Sequence, residues 1–450
     1  MAAAREKRDV DKILKHHQSL LAERTLFDSL REQVARVMWP EADDFFSDRT
    51  PGEHRTRELY DATGPSALER GAGVLETLLT PRSSQWHTLH ASDEQLQKNV
   101  EVREFFEKMT KVLFQVRAAP IAQFYSQKHV GYKSLLAFGD ECLYTEELRD
   151  GRGIRYENCH VDQVTISEDH QRRVDMVYRK FPMAARAAEA MWGEDALPTS
   201  IKTALKDHPF QMFDFLHCVM RNPDYDAEVE SLDPKRRAYT SMYIGLKDRE
   251  MIDEGGYYEM PYMYSRYTLN PNEKYGRSPG MLSLPTLNMM QEMTKTWIRS
   301  GHKSVDPPLM LPDDSIGGGS GDVFLYPGGL NPGYVTAEGR PMIHPLITGA
   351  NIPQIEEMMD RSRNSVEETF LVGFHKAIID HPNMTATQVL EIVKKEGQAI
   401  GPLIGRQQSE QLGPMVQREI AIGMRNNWFG EVPQVLIEAE GEYEIQYVSE

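Results

Sequence analysis

MLSLPTLNMMQEMTKTWIRSGHKS (281–304) and PQIEEMMDRSRNSVEETFLV (353–372) decide the reading of this chain. In the first, Leu282, Met289, Met290, Met293 and Trp297 recur at helical spacing; in the second, Ile355, Met358, Met359, Val366 and Phe370 do so. Each predicts a long amphipathic helix. Between them lie turn formers: DPPLMLPDD (306–314), GGGSG (317–321), PGG (327–329) and NPG (331–333). Two short apolar runs, Val323–Tyr326 and Met342–Ile347, can pair as strands among these turns. So long an insert on a two-helix stalk is poorly buried in a lone chain. In a ring it is reasonable: each copy gives two tilted helices to a shared wall, and its insert pairs with the neighbour's.

Beyond the second helix, a short segment (373–383) leads to Thr385-Ala-Thr-Gln388, a capping box. It opens a last long helix through Val389, Ile392 and Val393 towards Trp428. At the other end, Ile13, Leu20, Phe27 and Val34 recur every seven residues, with Leu30 and Val37 beside them, so a helix is predicted from about Asp9 to Met38, stopped by Pro40. A second helix is expected to start near Thr63 or Ser66 and end at Pro81. A third covers about Asp93–Tyr125, with Val100, Phe105, Met109, Val112, Val116 and Phe124 on its apolar side and a kink at Pro120. After Lys133 the texture turns to short β-rich runs at Glu141–Glu147, Val161–Ser167, Arg173–Phe181, Gln211–Met220, Ala238–Gly245 and Tyr262–Tyr267. An alanine-rich helical insert, about Pro182–Trp192, interrupts them. The fold class is therefore α+β with a largely antiparallel sheet.

The chain has 450 residues, 40% hydrophobic and 26% charged, enough to bury a sizeable core. Lys plus Arg number 51 and Asp plus Glu 68, leaving −17 with the histidines neutral. That sign excludes a protein that grips nucleic acid through a cationic surface, while allowing one that nucleic acid passes through. Cys142, Cys159 and Cys218 have neither zinc spacing nor an even count, so reduced thiols are expected. The basic N-terminus has no apolar h-region, and no run approaches the roughly 18 apolar residues of a membrane span. The expectation is a soluble chain made in a cytoplasm, with no membrane partner.

Familiar catalytic signatures are missing from the sequence. There is no G-x-x-x-x-G-K-[ST], H-E-x-x-H or G-x-S-x-G. No cofactor or metal is expected. GGGSG lacks the lysine and strand–helix setting of a phosphate cradle and reads as a turn. Asn383-Met-Thr385 reads as a helix start. Asp43-Asp44, Asp313-Asp314, Glu356-Glu357 and Glu367-Glu368 are adjacent in sequence. On a helix such neighbours diverge by about 100° and share no proton. Asp313-Asp314 is either a solvated turn or, with loop carbonyls, a hard-cation chelate. The basic clusters Arg172-Arg173, Lys235-Arg236-Arg237 and Lys394-Lys395 lie in separate, acid-diluted segments.

Six phrases, in order, resemble the head-to-tail connectors (portal proteins) of short-tailed, T7-like bacteriophages. They are LFDSLREQVARVMWP (26–40), LYDATGPSALERGAGVLETLLTP (59–81), YGRSPGMLSLPTLNMM (275–290), KSVDPPLMLPDD (303–314), MTATQVLEI (384–392) and GPLIGRQQSEQLGPMVQRE (401–419). The resemblance implies a portal fold: a wing over 1–280, stem helices at 281–304 and 351–372 and a clip at 305–350. A channel loop at 373–383 and a long supporting helix at 384–430 follow, and 431–450 begins a crown. Such proteins usually continue into a larger crown or barrel; this sequence ends at YEIQYVSE, so the crown is either minimal or shortened. The resemblance also implies a dodecameric, non-enzymatic ring at one capsid vertex of the virion, assembled in the host bacterial cytoplasm. Double-stranded DNA passes through it in packaging and ejection. Implied partners are the terminase large subunit, tail adaptor or nozzle proteins, major capsid and scaffolding proteins, and internal core proteins.

On that basis Glu356, Glu357, Asp360, Glu367 and Glu368 are candidates for an acidic channel wall that repels phosphate evenly and lets DNA slide. Twelve copies at −17 sum to about −200. His375, Lys376 and His381 are the cationic candidates of the loop, either touching phosphate or capping helix ends and meeting a neighbour's carboxylates. Asp313, Asp314, Phe324, Tyr326 and Tyr334 are the clip's candidate partner contacts. Two other classes stay open here: another capsid or scaffold subunit, and a metal-dependent phosphoryl-transfer enzyme using scattered carboxylates.

Overall fold

A buried arginine organises the N-terminal part of the chain. Arg31 sits late in helix α1 (Ala2–Met38), on the stripe that also buries Val34 and Met38. Its guanidinium pairs with Asp28 at 3.2 Å and with the fully buried Asp140, and lies 5.2 Å from the Tyr275 ring. The computed structural model describes residues 2–46, 50, 52–57, 59–225, 233–310, 335, 339–341, 343–346, 352–370, 401–439 and 441–447, with side chains from Val10.

Helix α2 (Thr63–Leu79) follows. Its cap position is Ala62, and the Asp61 carboxylate accepts the Thr63 N–H at 2.9 Å. The cap expected at Thr63 or Ser66 is thus supplied from outside the helix. Strand β1 (His87–Ala91) and the short helix α3 (Glu94–Gln97) lead into α4 (Val100–Ala118) and α5 (Phe124–Phe138). The single kinked helix expected over Asp93–Tyr125 is therefore three helices. Pro120 ends the second, and Gln123 turns the chain with φ 54°. Val100 is exposed because it opens α4, ahead of the packed stripe Phe105, Phe106, Met109 and Leu113. Helix α5 runs past Lys133, where strand texture was expected, and ends at Gly139. A side chain there is excluded: φ is 86°, and a Cβ would lie 2.4 Å from the Gly276 carbonyl.

The middle of the chain is the expected antiparallel sheet system. Strands β2 (Asp140–Glu147), β3 (Ile154–Cys159), β4 (Val164–Glu168), β5 (Val174–Ala184), β6 (Met212–Arg221), β7 (Tyr239–Gly245), β8 (Glu250–Tyr257) and β9 (Tyr262–Arg266) form two sheets. Their orders are β3-β2-β9 and β4-β5-β6-β7-β8. Helices α6 (Ala185–Trp192) and α7 (Thr199–Asp207) cap the larger sheet around Phe213, Phe215 and Tyr243. Strands β3 and β8 and helix α7 escaped the sequence reading. Charges and glycines break the period in RYENC and EMIDEGG, and neighbouring strands supply the pairing. The three cysteines are free and buried.

Helix α8 (Pro279–Val305) begins with the Ser278 hydroxyl accepting the Met281 N–H at 2.9 Å, a cap that tolerates Pro279 in the first turn. A short pair, β10 (Leu309–Met310) and β11 (His344–Pro345), marks the base of the insert, and α9 (Ile352–Thr369) returns along α8. Residues 401–407 are helical, 408–412 form a π-turn, and α10 (Gly413–Arg425), α11 (Gln434–Glu438) and β12 (Tyr443–Tyr447) complete the chain. Strand β12 lies antiparallel to β1, with Leu89 opposite Ile445. One core gathers α1, α2, α5, α8 and α9; a second joins α4, β1 and α10.

Candidate functional site

The packing of α8 divides its apolar residues into two faces. Met281, Leu284, Leu287, Met290 and Thr294 turn inward, where the Thr294 hydroxyl meets the Met359 sulfur of α9 at 3.5 Å. At about 100° per residue, Leu282, Met289, Met293 and Trp297 fall on another face. There Leu282 is 75% and Met289 43% exposed, and Met293 and Trp297 are half-buried. Of the stripe read from the sequence, only Met290 lies on the face the chain buries in its own core. The reason is that α8 carries two apolar faces, and periodicity does not say which one its own chain will use.

Helix α9 buries Met359, Val366 and Phe370 against α8 and α2, while Met358 is exposed. Gly71 of α2 lets the Phe370 carbonyl approach, since a Cβ there would meet it at 3.0 Å. The five acids named from the sequence share a sector of about 120°, whose centre lies about 120° round the helix from the packed stripe. Glu356, Glu357, Asp360 and Glu368 are exposed and Glu367 is half-buried. Glu357 pairs with Arg361 at 2.5 Å, Asp360 with Arg363 at 3.1 Å, and Glu367 with Arg70 at 3.4 Å. Arg363 also holds Asp61 at 2.9 Å, tying α9 to the start of α2; against the cost of burial, hydrogen bonds from Thr63 and Arg363 draw the Asp61 carboxyl down. Five carboxylates against Arg361 and Arg363 leave −3 on this helix. His375, Lys376 and His381, the capping box at 385–388, and Asp313, Asp314, Phe324, Tyr326 and Tyr334 lie outside the described residues.

Three polar networks that sequence reasoning missed fasten the last helical segment to the body. In the first, Arg117 of α4 and Glu419 of α10 are both buried, with the guanidinium Nε 3.1 Å from each carboxylate oxygen. Tyr156 donates to the same carboxylate at 2.5 Å, and Arg117 donates to His87 Nε2 at 2.7 Å. Burial holds the His87 imidazole down at about 2, so it stays neutral and accepts that bond. In the second, Lys128 of α5 donates to both Glu141 oxygens at 2.8 and 2.9 Å and also to the Gln411 side chain. Burial lowers the Lys128 ammonium, with Glu141 opposing the shift. In the third, the Glu410 carboxylate accepts from the Arg266 backbone N–H and guanidinium, each at 2.9 Å, and Arg266 also pairs with Glu168.

Two of these networks depend on the π-turn. Pro414 has no N–H to offer the Glu410 carbonyl, and the Gly413 N–H bonds instead to the Gln408 carbonyl, five residues back. The extra residue per turn brings Gln407, Glu410 and Gln411 together onto Ser265, Arg266 and Lys128. The only sequence trace of this is the proline in QLGPMV; the partners are more than a hundred residues away. Among the described residues, no group of three or more His, Cys, Asp or Glu could hold a metal ion, and no helix is long and apolar enough to cross a membrane.

Known proteins match nearly the whole length of the chain. The family of bacteriophage head to tail connecting proteins matches residues 10–450. The chain is 23% identical over 405 residues to a probable portal protein of Bordetella phage BPP-1, covering 88% of this chain and 71% of that protein. It is 24% identical over 435 residues to the portal protein of Salmonella phage epsilon15, covering 95% and 76% respectively. The chain belongs to the bacteriophage head-to-tail connecting protein family, and its function is that of a phage portal, the connector between head and tail.

Proposed function

We propose that copies of this chain close into a dodecameric ring at one capsid vertex, with α8 and α9 as the paired stem and residues 1–280 as the wing. The observation that carries this reading is the second apolar face of α8. Leu282 and Met289, with the half-buried Met293 and Trp297 beside them, form a stripe that the single chain leaves partly uncovered. Large exposed apolar side chains at helical spacing suit a neighbouring copy better than water. The acidic sector of α9 then lines a channel through which double-stranded DNA slides without a deep binding minimum, because like charge repels the backbone evenly.

In this reading, 305–350 is the clip, offered to the terminase large subunit during packaging and to tail adaptor or nozzle proteins afterwards. Residues 373–383 are the channel loop, with His375, Lys376 and His381 meeting phosphate. The role is structural and non-catalytic. Assembly takes place in the host bacterial cytoplasm among capsid, scaffolding and internal core proteins, and the ring ends in the virion. The test is electron microscopy of the purified full chain: rings with a countable rotational symmetry and an axial hole are expected. Leu282→Asp should lower ring yield while leaving the subunit folded. A stable monomer at high concentration, with no annular particles, overturns the proposal.

A further inference from the structure

Away from the stem, the basic cluster at 235–237 contributes to a cleft. The cleft has a volume of about 380 Å³ and is lined by Arg237, Arg418, Arg425, Tyr257, Tyr258, Glu146 and Glu147. It lies where the ends of β2 and β8 meet the last turns of α10. Tyr258, exposed at the rim, carries two guanidiniums against its ring: Arg237 at 4.5 Å and Arg425 at 4.8 Å from the centroid. Arg418 stands over Tyr257 at 5.3 Å.

The donors here outnumber their acceptors. Arg418 has a side chain only 3% exposed. Its Nε donates to the Thr145 carbonyl at 3.3 Å, and its Nη1 to the Glu259 carbonyl at 2.8 Å and carboxylate at 3.3 Å. Among the described residues its Nη2 has no acceptor. Arg237 spends Nη1 on the Gly256 carbonyl at 2.9 Å; its Nε is enclosed without a partner, and its Nη2 has no acceptor among the described residues. Arg425 takes both oxygens of Glu259, at 2.6 and 3.1 Å, so that carboxylate is shared by two arginines. Of the two wall acids, Glu147 accepts from Asn426 at 2.7 Å and Glu146 faces Arg155 at 3.5 Å. A buried guanidinium fork with an unused nitrogen is a preformed site for an oxyanion.

We propose that this cleft binds a carboxylate side chain of a partner polypeptide, on a segment where acidic and basic residues alternate. The carboxylate takes the free Nη2 of Arg418 and of Arg237, and a neighbouring cation meets Glu146 and Glu147. A polyanion such as nucleic acid is disfavoured: the wall carries two glutamates, and the whole chain carries −17. A peptide of mixed charge meets neither obstacle, and the exposed Tyr258 face offers it a stacking surface.

The test is fluorescence anisotropy with the full chain and three labelled probes. They are a short peptide alternating glutamate and lysine, the same peptide with glutamine at both positions, and a single-stranded oligonucleotide. The mixed-charge peptide is expected to bind, and Arg237→Gln to weaken it about tenfold, the loss of one charge-assisted contact. Arg237→Lys, which keeps the charge and loses the fork, should fall between. Substitution of the exposed Arg103, outside the cleft, should change nothing. The proposal is overturned if the two peptides bind equally, if the cleft variants bind like the parent, if the mixed-charge peptide does not bind at millimolar concentration, or if the oligonucleotide binds and loses affinity in the same variants.

Discussion

Glu419→Gln is the sharpest probe of how α10 is held. The substitution keeps the shape of the side chain and removes its charge, leaving the buried Arg117 with neutral acceptors only, the new amide oxygen and His87 Nε2. Both partners are essentially inaccessible, so water cannot replace the lost carboxylate. At an effective dielectric of about 20, opposite charges some 4 Å apart attract by about 4 kcal/mol, and removing one member of a buried pair costs about 3–5 kcal/mol. With a urea dependence of about 3 kcal/mol per molar, the unfolding midpoint should fall by about 1–1.7 M. The fluorescence of Trp86 reports the event, since Arg117 lies 4.7 Å from its ring and Tyr447 of β12 stacks on it. Removing both charges together, as Arg117→Met with Glu419→Leu and Tyr156→Phe, should cost less than Glu419→Gln alone, because no charge or hydroxyl is left stranded. A midpoint shift below about 0.2 M for Glu419→Gln would refute the reasoning, as would a triple variant as damaged as the single one.

Three further outcomes are expected. Burial holds His17 at about 4, His87 at about 2 and His217 at about 3, each down from 6.5, so all three stay neutral when folded. The unfolded chain binds more protons below 6.5, so their stabilisation is complete above that pH and is lost on acidification. By pH 5.5 each should forfeit about 1.4 kcal/mol, about 4 together, read as a falling urea midpoint; a midpoint unchanged between pH 7 and 5.5 contradicts this. Gly131→Ala places a Cβ 2.0 Å from a Glu141 oxygen and displaces the partner of Lys128, so a loss of about 1–3 kcal/mol is expected from overpacking, measured by the same melts. Lys376→Glu should alter DNA packaging or retention in particles while ring assembly survives; unchanged packaging and retention remove the channel-loop role.

The two long helices and the antiparallel strands were legible in the chain because their information is local. Periods of 3.6 and 2 survive in a single string of residues, and Pro40 and Pro81 punctuate it. Where the local signal conflicted, the reading went astray. Pro120 reads as a kink and acts as a break, because α4 and α5 pack on different partners. Strand β8 is invisible until β7 pairs with it. The acids of α9 were found from composition, and their common sector follows from helix geometry alone. The anchors of the π-turn and α10 could not be found that way. Arg117 and Glu419 are separated by 302 residues, Lys128 and Gln411 by 283.

By itself the sequence determined the class of the fold, its acidity and the presence of two amphipathic helices flanking a turn-rich insert, since these depend on composition and on neighbours along the chain. Only the tertiary structure decided which apolar face of α8 the subunit keeps for itself. It alone decided that a proline-forced π-turn aims Gln411 and Glu410 at Lys128 and Arg266, and that three arginines meet around two tyrosines at the end of α10. Each of those outcomes depends on burial, and burial is a property of which distant surfaces exclude water from one another.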